Sequence, residues 1–208
     1  MMTKNIRIQP RGRVDYKQCW EQMKNFTETR NANSADEFWL VEHAAVFTLG
    51  LAGKEEHILF KQHQIPIIHS DRGGQVTYHG PGQIIIYLLI DLKRSGLAIR
   101  DLVTRIENGV ITYLSSFGIS ATGDRQAPGV YVAGKKIAAL GLKIRKGCSY
   151  HGLSFNFAMD TTPFSYINPC GYAGLEVVNL MDLVPAQNLN QELVAADLAA
   201  ALAAQVYS

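Results

Sequence analysis

Apolar residues recur at helical spacing in some stretches of the chain and run together or alternate in others, which divides it into a short series of elements. Asp15 can cap a helix that carries Tyr16, Trp20, Met23 and Thr27 on one side and ends in the polar stretch 30–34. Residues 37–43 are aromatic and β-branched and predict a strand, which residues 46–50 extend or pair with. Residues 53–57 read as a solvated turn, and 65–69 lead into a glycine-rich stretch. The short apolar run 84–90 that follows is bounded by turn residues and predicts a buried strand. Asp101 opens the clearest helix, with Leu102, Ile106, Val110 and Leu114 at i+4 and Phe117-Gly118 as its stop. After a polar loop at 124–126, residues 129–135 predict a hairpin into a strand over 137–144. There Leu140, Leu142 and Ile144 alternate with Gly141, Lys143 and Arg145, giving one buried and one open face. The alanine-rich tail 191–206 puts Val194, Leu198, Leu202 and Val206 on one helical stripe. No repeat or break in composition divides the chain, which predicts one α+β domain over 1–208.

Composition narrows the class. A length of 208 residues is enough to bury a real core, and 47% hydrophobic with 18% charged residues is the balance of a folded, soluble protein. The run 84–90 is far too short to span a membrane, and no apolar leader follows the first residues. Cys19, Cys148 and Cys170 are sparse and lack metal-ligand spacing, so a reduced cytoplasmic setting is expected. A net charge of +2 does not argue for nucleic acid, and any charged partner must meet a local patch.

The stretch Arg72, Gly73, Gly74, Gln75, Val76, Thr77, Tyr78, His79, Gly80, Pro81, Gly82, Gln83 holds four glycines in twelve residues. Glycine permits close approach of backbone to a ligand, so this stretch reads either as a hairpin turn or as a binding wall carried by the strand behind it. It matches neither a phosphate loop nor a dinucleotide fingerprint, and no other stretch carries the phosphate-loop pattern. His43, His57, His63, His69, His79 and His151 are scattered, so a metal site would require spatial convergence. Among the thiols Cys170 stands apart, between Asn168-Pro169 and Gly171-Tyr172, where a turn can present sulfur to a cleft. Cys19 reads as a helix position and Cys148 as a strand end. A nucleophilic thiolate needs a base or a positive neighbour, and His79, His151, Lys135 and Lys136 are the candidates; an inert loop thiol is the alternative. Lys136 precedes an apolar, small-residue segment, where desolvation is expected to lower its pKa, whereas Lys135 reads as a hairpin charge in water.

Together the segment 72–83, the segment Gly134-Lys135-Lys136-Ile137-Ala138-Ala139-Leu140-Gly141-Leu142, and His151-Gly152-Leu153-Ser154-Phe155-Asn156 with Asn168-Pro169-Cys170-Gly171 resemble the bacterial lipoyl(octanoyl) transferases. Order and spacing agree from about residue 39 to about 180. The resemblance implies the fold of lipoate and biotin protein ligases, a mixed β-sheet flanked by helices. It implies octanoyl transfer from octanoyl-acyl carrier protein to a lysine of lipoyl domains, those of 2-oxoacid dehydrogenase E2 subunits and of the glycine cleavage H protein. It implies a Cys170 acyl-thioester, Lys136 as the proton-carrying residue, and an acyl site at Arg72 to His79, Ala139, Leu140, Gly141, Gly152, Leu153 and Ser154. No cofactor, metal, nucleic acid or membrane is implied.

On that reading Tyr78 and His79 close one side of the slot. The Cys170-Gly171 turn and residues 139–141 are the candidate donors to an oxyanion. Lys143, Arg145 and Lys146, joined by Arg72, form a patch for acidic carrier and lipoyl domains, against the plainer reading of a solvated strand face. Three rivals stand beside it: an ATP-dependent ligase of the same fold, a non-catalytic acyl or carrier-protein binding module, and a thioesterase.

Overall fold

The structure is a computed structural model and describes residues 6–60, 64–184 and 186–208. His63, one of the scattered histidines, lies outside the described residues. Its elements are β1 (Ile6–Arg13), α1 (Tyr16–Thr29), β2 (Asp36–Glu42), β3 (Val46–Leu49), β4 (Ile67–His69), β5 (Val76–His79), β6 (Gln83–Leu89), α2 (Leu92–Ser95), α3 (Ile99–Ser115), β7 (Thr122–Gly123), β8 (Gly129–Val132), β9 (Lys135–Arg145), β10 (Cys148–Asn156), α4 (Leu180–Leu183) and α5 (Gln191–Val206).

The run around residue 85 is buried along its whole length because β6 sits inside a seven-stranded sheet of order β1-β2-β6-β10-β9-β8-β7. Side chains alternate across such a sheet, so each strand feeds two cores. On one face Phe38, Leu40, Ile84, Ile86 and Leu88 meet the α3 stripe of Leu102, Ile106, Val110 and Leu114 and the α5 stripe of Val194, Leu198, Leu202 and Val206. On the other face Trp39, Val41, Ile85, Tyr87 and Leu89 meet Cys19 and Met23 of α1. Asp15 caps α1 by accepting from Gln18 N at 2.9 Å. β1 and β2 run parallel, and the other pairings of this sheet are antiparallel.

Residues 46–49 do not continue or pair with β2. They form the centre of a separate three-stranded sheet of order β4-β3-β5. The glycine-rich stretch is likewise not one loop: four of its residues are β5, antiparallel to β3, and turns at 72–75 and 80–82 flank it. Residues 55–57 form a short 3-10 turn at the surface. The helix predicted from Asp101 begins two residues earlier, with Ala98 as its cap. In β9 the expected contrast of faces is weak, because residues 139–144 are all half-buried. Leu140, Leu142 and Ile144 pack on the α3/α5 core. The opposite face is covered by the glycine-rich turn, which Gly73 N fastens to Leu142 O at 2.9 Å. Gly141 lies close under that turn: a Cβ there would stand 3.1 Å from Gly73 O and 3.3 Å from Arg72 Cδ, tighter than ordinary contact.

Candidate active site

Cys170 sits in a one-turn 3-10 segment, Pro169–Gly171, with φ 56° and ψ 14°. This left-handed conformation costs a non-glycine residue roughly 1–2 kcal/mol, and such strain is retained where the surroundings enforce it. Here Gly171 N donates to Asn168 O at 2.9 Å, Tyr172 N to Pro169 O at 3.0 Å, and Asn168 N to His57 O at 2.8 Å. The turn is thereby fixed to the surface segment before β4.

Lys136 reaches the thiol from β9. A bulge shifts the β8–β9 register, so that Val130 faces Ala138 while Tyr131 faces Lys136, and Ile137 is the extra residue. Bulges re-aim side chains, and this one accompanies a lysine that is only 3% exposed. Its backbone is pinned to the segment after the cysteine turn, with Lys136 N donating to Glu176 O at 2.8 Å and Val178 N to Lys136 O at 3.1 Å. Lys136 Nζ then lies 3.2 Å from Cys170 Sγ, donates to Pro128 O at 3.3 Å and stands 5.1 Å from the centre of the Tyr131 ring.

Desolvation does work to lower the Lys136 pKa, as its sequence context suggests. The nearby Cys170 sulfur and Tyr131 outweigh it, and the net shift is upward. The pair is therefore described by an ammonium beside sulfur, not by a resting free amine. Of the other candidate bases, Lys135 pairs with Glu176 at 2.8 Å, while His79 and His151 bond elsewhere. Burial raises the thiol of Cys19 to about 11 and raises that of Cys148.

The pair opens on a cavity of about 340 Å³ between the α1 face of the large sheet and the small sheet. Arg72, Gly73, Gly74, Gln75, Thr77, His79, Ala139, Leu140, Gly141, Gly152, Leu153 and Ser154 all line it, together with Lys136 and Cys170. Val76 and Tyr78 do not. β5 alternates, and these two point into a separate core with Phe47 and Phe164. Tyr78 thus supports the wall from behind and does not close the slot.

Arg72 is 8% exposed and is no part of a docking surface. Its guanidinium donates to Thr48 O at 2.6 Å, to Thr48 Oγ1 at 2.9 and 3.0 Å, to Gln75 O at 2.7 Å and to Gly73 O at 2.9 Å. It is the clasp of the glycine-rich turn. Arg145 and Lys146, placed in the same patch, both pair with Glu28 of α1.

Sequence reasoning missed the far wall of the cavity. Tyr16 stacks on His79 with ring centres 6.0 Å apart, and His43 lies 6.1 Å from His79. His79 Nδ1 donates to Gln83 Oε1 at 2.8 Å, and burial together with His43 lowers its pKa to about 3. His151 Nε2 donates to Asp71 Oδ1 at 2.9 Å, and Asp71 also accepts from Trp20 Nε1 at 2.8 Å and from Tyr150 Oη. Burial opposes the Asp71 charge, but the donors His151, Tyr150 and Trp20 carry its pKa down to about 2. Three histidines do converge, yet His43 commits Nδ1 to Val14 O and Nε2 to Tyr87 Oη. Among the described residues no group of three His, Cys, Asp or Glu could hold a metal ion. No helix among them is long and apolar enough to cross a membrane.

Comparison with known proteins adds independent findings. The family described as the lipoyl protein ligase A/B catalytic domain matches residues 15–204. An octanoyltransferase from Laribacter hongkongensis is 56% identical over 178 residues, 86% of this chain and 86% of the relative. One from Haemophilus influenzae is 51% identical over 198 residues, 95% of this chain and 93% of the relative. Among solved structures, a putative lipoate protein ligase from T. acidophilum with bound lipoic acid shares the fold at TM-score 0.78 and 14% identity, covering 98% of this chain and 86% of that one. Biotin protein ligase from Aquifex aeolicus does so at TM-score 0.57 and 11% identity, covering 99% and 69%. A mixed sheet flanked by helices, the expected fold, is therefore what the chain adopts. With relatives this similar over most of its length, the chain belongs to the lipoyl protein ligase A/B catalytic domain family and is an acyltransferase.

Proposed function

We propose that this enzyme moves an octanoyl group from octanoyl-acyl carrier protein to a lysine of lipoyl domains, through a thioester on Cys170. The observation that carries the reading is the 3.2 Å approach of Lys136 Nζ to Cys170 Sγ at the rim of a 340 Å³ cavity. The curated octanoyltransferases at 51–57% identity support the acyl group.

In the first half-reaction the Cys170 thiolate attacks the carbonyl carbon of the octanoyl thioester, and the bond to the carrier sulfur breaks. The Lys136 ammonium gives its proton to the departing carrier thiolate, which leaves a free amine and an acylated cysteine. In the second half the incoming lysine, entering as its free amine, attacks the thioester and passes the one proton its nitrogen loses to the Lys136 amine. An amide forms, the Cys170 thiolate departs, and Cys170 and Lys136 again hold between them the proton with which the cycle began. Thioester to amide is downhill, so no nucleotide enters, in keeping with a sequence without a phosphate loop.

Arg72, Gly73, Gly74, Gln75, Thr77, His79, Ala139 to Gly141 and Gly152 to Ser154 wall the acyl slot, with Val76 and Tyr78 behind it. For the oxyanion, Gly171 N is already spent on Asn168 O. The Leu140 N–H is the better donor. The Leu142 carbonyl on the free edge of β9 receives Gly73 N, and edge direction repeats every second residue of an antiparallel strand. β8 ends its pairing at Ala139, so that edge is open at Leu140. The donor is acyl carrier protein, the acceptors are lipoyl domains of 2-oxoacid dehydrogenase E2 subunits and of the glycine cleavage H protein, and the setting is cytoplasmic.

Intact mass after incubation with octanoyl-acyl carrier protein, without ATP, tests the reading. The expected product is one octanoyl adduct on Cys170, removed by hydroxylamine and discharged onto a lipoyl domain. A folded protein with no adduct, or with full transfer by Cys170→Ser in the presence of ATP, would overturn it in favour of a binding module or a ligase. Release of free octanoate to water, with no transfer to lysine, would make it a thioesterase.

A further inference from the structure

Helix α3 carries one buried charge, Glu107, which is 8% exposed among the apolar side chains that face the sheet. Its Oε1 accepts from Gly129 N at 2.9 Å. That N–H belongs to the peptide unit between Pro128 and Gly129, and the carbonyl of the same unit, Pro128 O, accepts from Lys136 Nζ at 3.3 Å. The three groups form one line: carboxylate, peptide, ammonium. The packing holds the peptide in place. Gly129 has φ 152°, and a Cβ there would stand 2.9 Å from Lys136 Cε and 3.2 Å from Nζ, so its bare backbone lies on the lysine stem.

We propose that Glu107 is a positioning residue for the Lys136–Cys170 pair, acting through the Pro128–Gly129 peptide whose N–H it receives and whose carbonyl receives the ammonium. A carboxylate accepting the N–H polarises the peptide and strengthens its carbonyl as an acceptor, since hydrogen bonds in a chain reinforce one another in a poorly solvated site. The peptide then favours Lys136 as an ammonium and aims Nζ at Sγ. Burial, with the charge of Asp124, raises the Glu107 pKa; the Gly129 N–H chiefly, and Lys136 less, oppose that rise, so the two ends feel each other. This rests on Lys136 and Cys170 acting as a pair, and goes beyond it by assigning the group that holds them.

Other charged or titratable groups lie around the pair. Tyr131 from β8 and Arg72 from the glycine-rich turn face it, His57 lies against Gly171, and Asp124, in the loop after β7, bears on Glu107 and Tyr131 but not on Lys136 or Cys170. Asp124 provides the control. It is exposed and also bears on Glu107 and Tyr131, but its carboxylate accepts from Gln126 N and not from the Pro128–Gly129 peptide.

The test is the pH dependence of Cys170 alkylation by iodoacetamide, located by peptide mass, which needs no acyl substrate. Glu107→Gln keeps an acceptor for Gly129 N but removes the charge. The expected profile moves to higher pH, with a three- to tenfold slower rate at pH 7 and the wild-type rate at high pH, while Asp124→Asn leaves the profile in place. Glu107→Asp, whose carboxylate falls short of Gly129 N, reads the same displacement should Glu107→Gln not fold. Profiles of the folded Glu107 variants that superimpose on wild type, that fall equally at every pH, or that Asp124→Asn reproduces would each overturn the proposal. Failure of the transferase reading shows separately, as wild-type protein that alkylates normally at Cys170 yet takes no octanoyl group.

Discussion

Lys136 Nζ and Cys170 Sγ stand 3.2 Å apart across 34 positions of chain, and neither is delivered by a straight element. A β-bulge aims the lysine and a left-handed turn presents the thiol. With the ammonium gone, the thiolate loses its charged partner. Lys136→Met should slow iodoacetamide alkylation of Cys170 at pH 7 by about tenfold or more, one unit of thiol pKa being a factor of ten in thiolate. The rates should converge at high pH. Equal rates at pH 7 in a folded variant would show that Lys136 does not activate the thiol.

Arg72 is a structural clasp as much as a wall. Arg72→Ala strips donors from Thr48 O, Gln75 O and Gly73 O together, inside a buried site. Each buried acceptor left unpaired costs about 1–3 kcal/mol, so urea unfolding should show a loss of about 3 kcal/mol or more. A change within 1 kcal/mol would mean that the turn is held by other bonds.

Gly141 lies beneath that clasp. Gly141→Ala places a methyl 3.1 Å from Gly73 O and 3.3 Å from Arg72 Cδ, so the turn must give by a few tenths of an ångström. Overpacking of this kind costs about 1–3 kcal/mol. Because the displaced turn is the cavity wall, octanoyl-adduct formation should fall more than stability does. Unchanged adduct formation with lowered stability would remove the turn from the acyl site.

The buried histidines make the fold sensitive to acid. His79 titrates near 3 in the folded chain against its ordinary value of 6.5. The unfolded chain therefore binds the proton more readily, and stability falls as pH drops from about 6.5 toward 3. His79→Gln should flatten the pH dependence of unfolding across that window. Asp71, held at about 2, acts lower: its stabilisation is full above its ordinary pKa of 3.8 and fades as pH falls through 2. The advantage of wild type over Asp71→Asn in thermal melts should thus narrow between pH 4 and pH 2. An advantage that is constant with pH would assign Asp71 a packing role alone.

Periodicity in the sequence determined the elements whose burial is one-sided or complete. The α3 and α5 stripes, the capped α1 and the buried β6 all follow from local spacing, because a repeat of 3.6 or 2 reports directly which side chains leave water. The motifs likewise singled out Cys170, Lys136 and most of the cavity wall, since glycine, proline and an isolated lysine are conspicuous in a string of letters.

Only the tertiary structure decided partnership and direction. Burial patterns do not say which strand a strand joins, so the sequence reads β3 as an extension or partner of β2 and β5 as part of a glycine loop. Desolvation alone argued for a lowered Lys136 pKa, until a sulfur from 34 positions away reversed the sign. Arg72 reads in the sequence both as acyl wall and as a charge of the docking patch, but in the fold Thr48, Gln75 and Gly73 take its donors and withdraw it from that patch. Glu107, at the margin of an apolar stripe, had no signal of its own. Its meaning depends on one peptide unit brought to it by a distant hairpin, and hydrogen bonds and charge act through space, not along the chain.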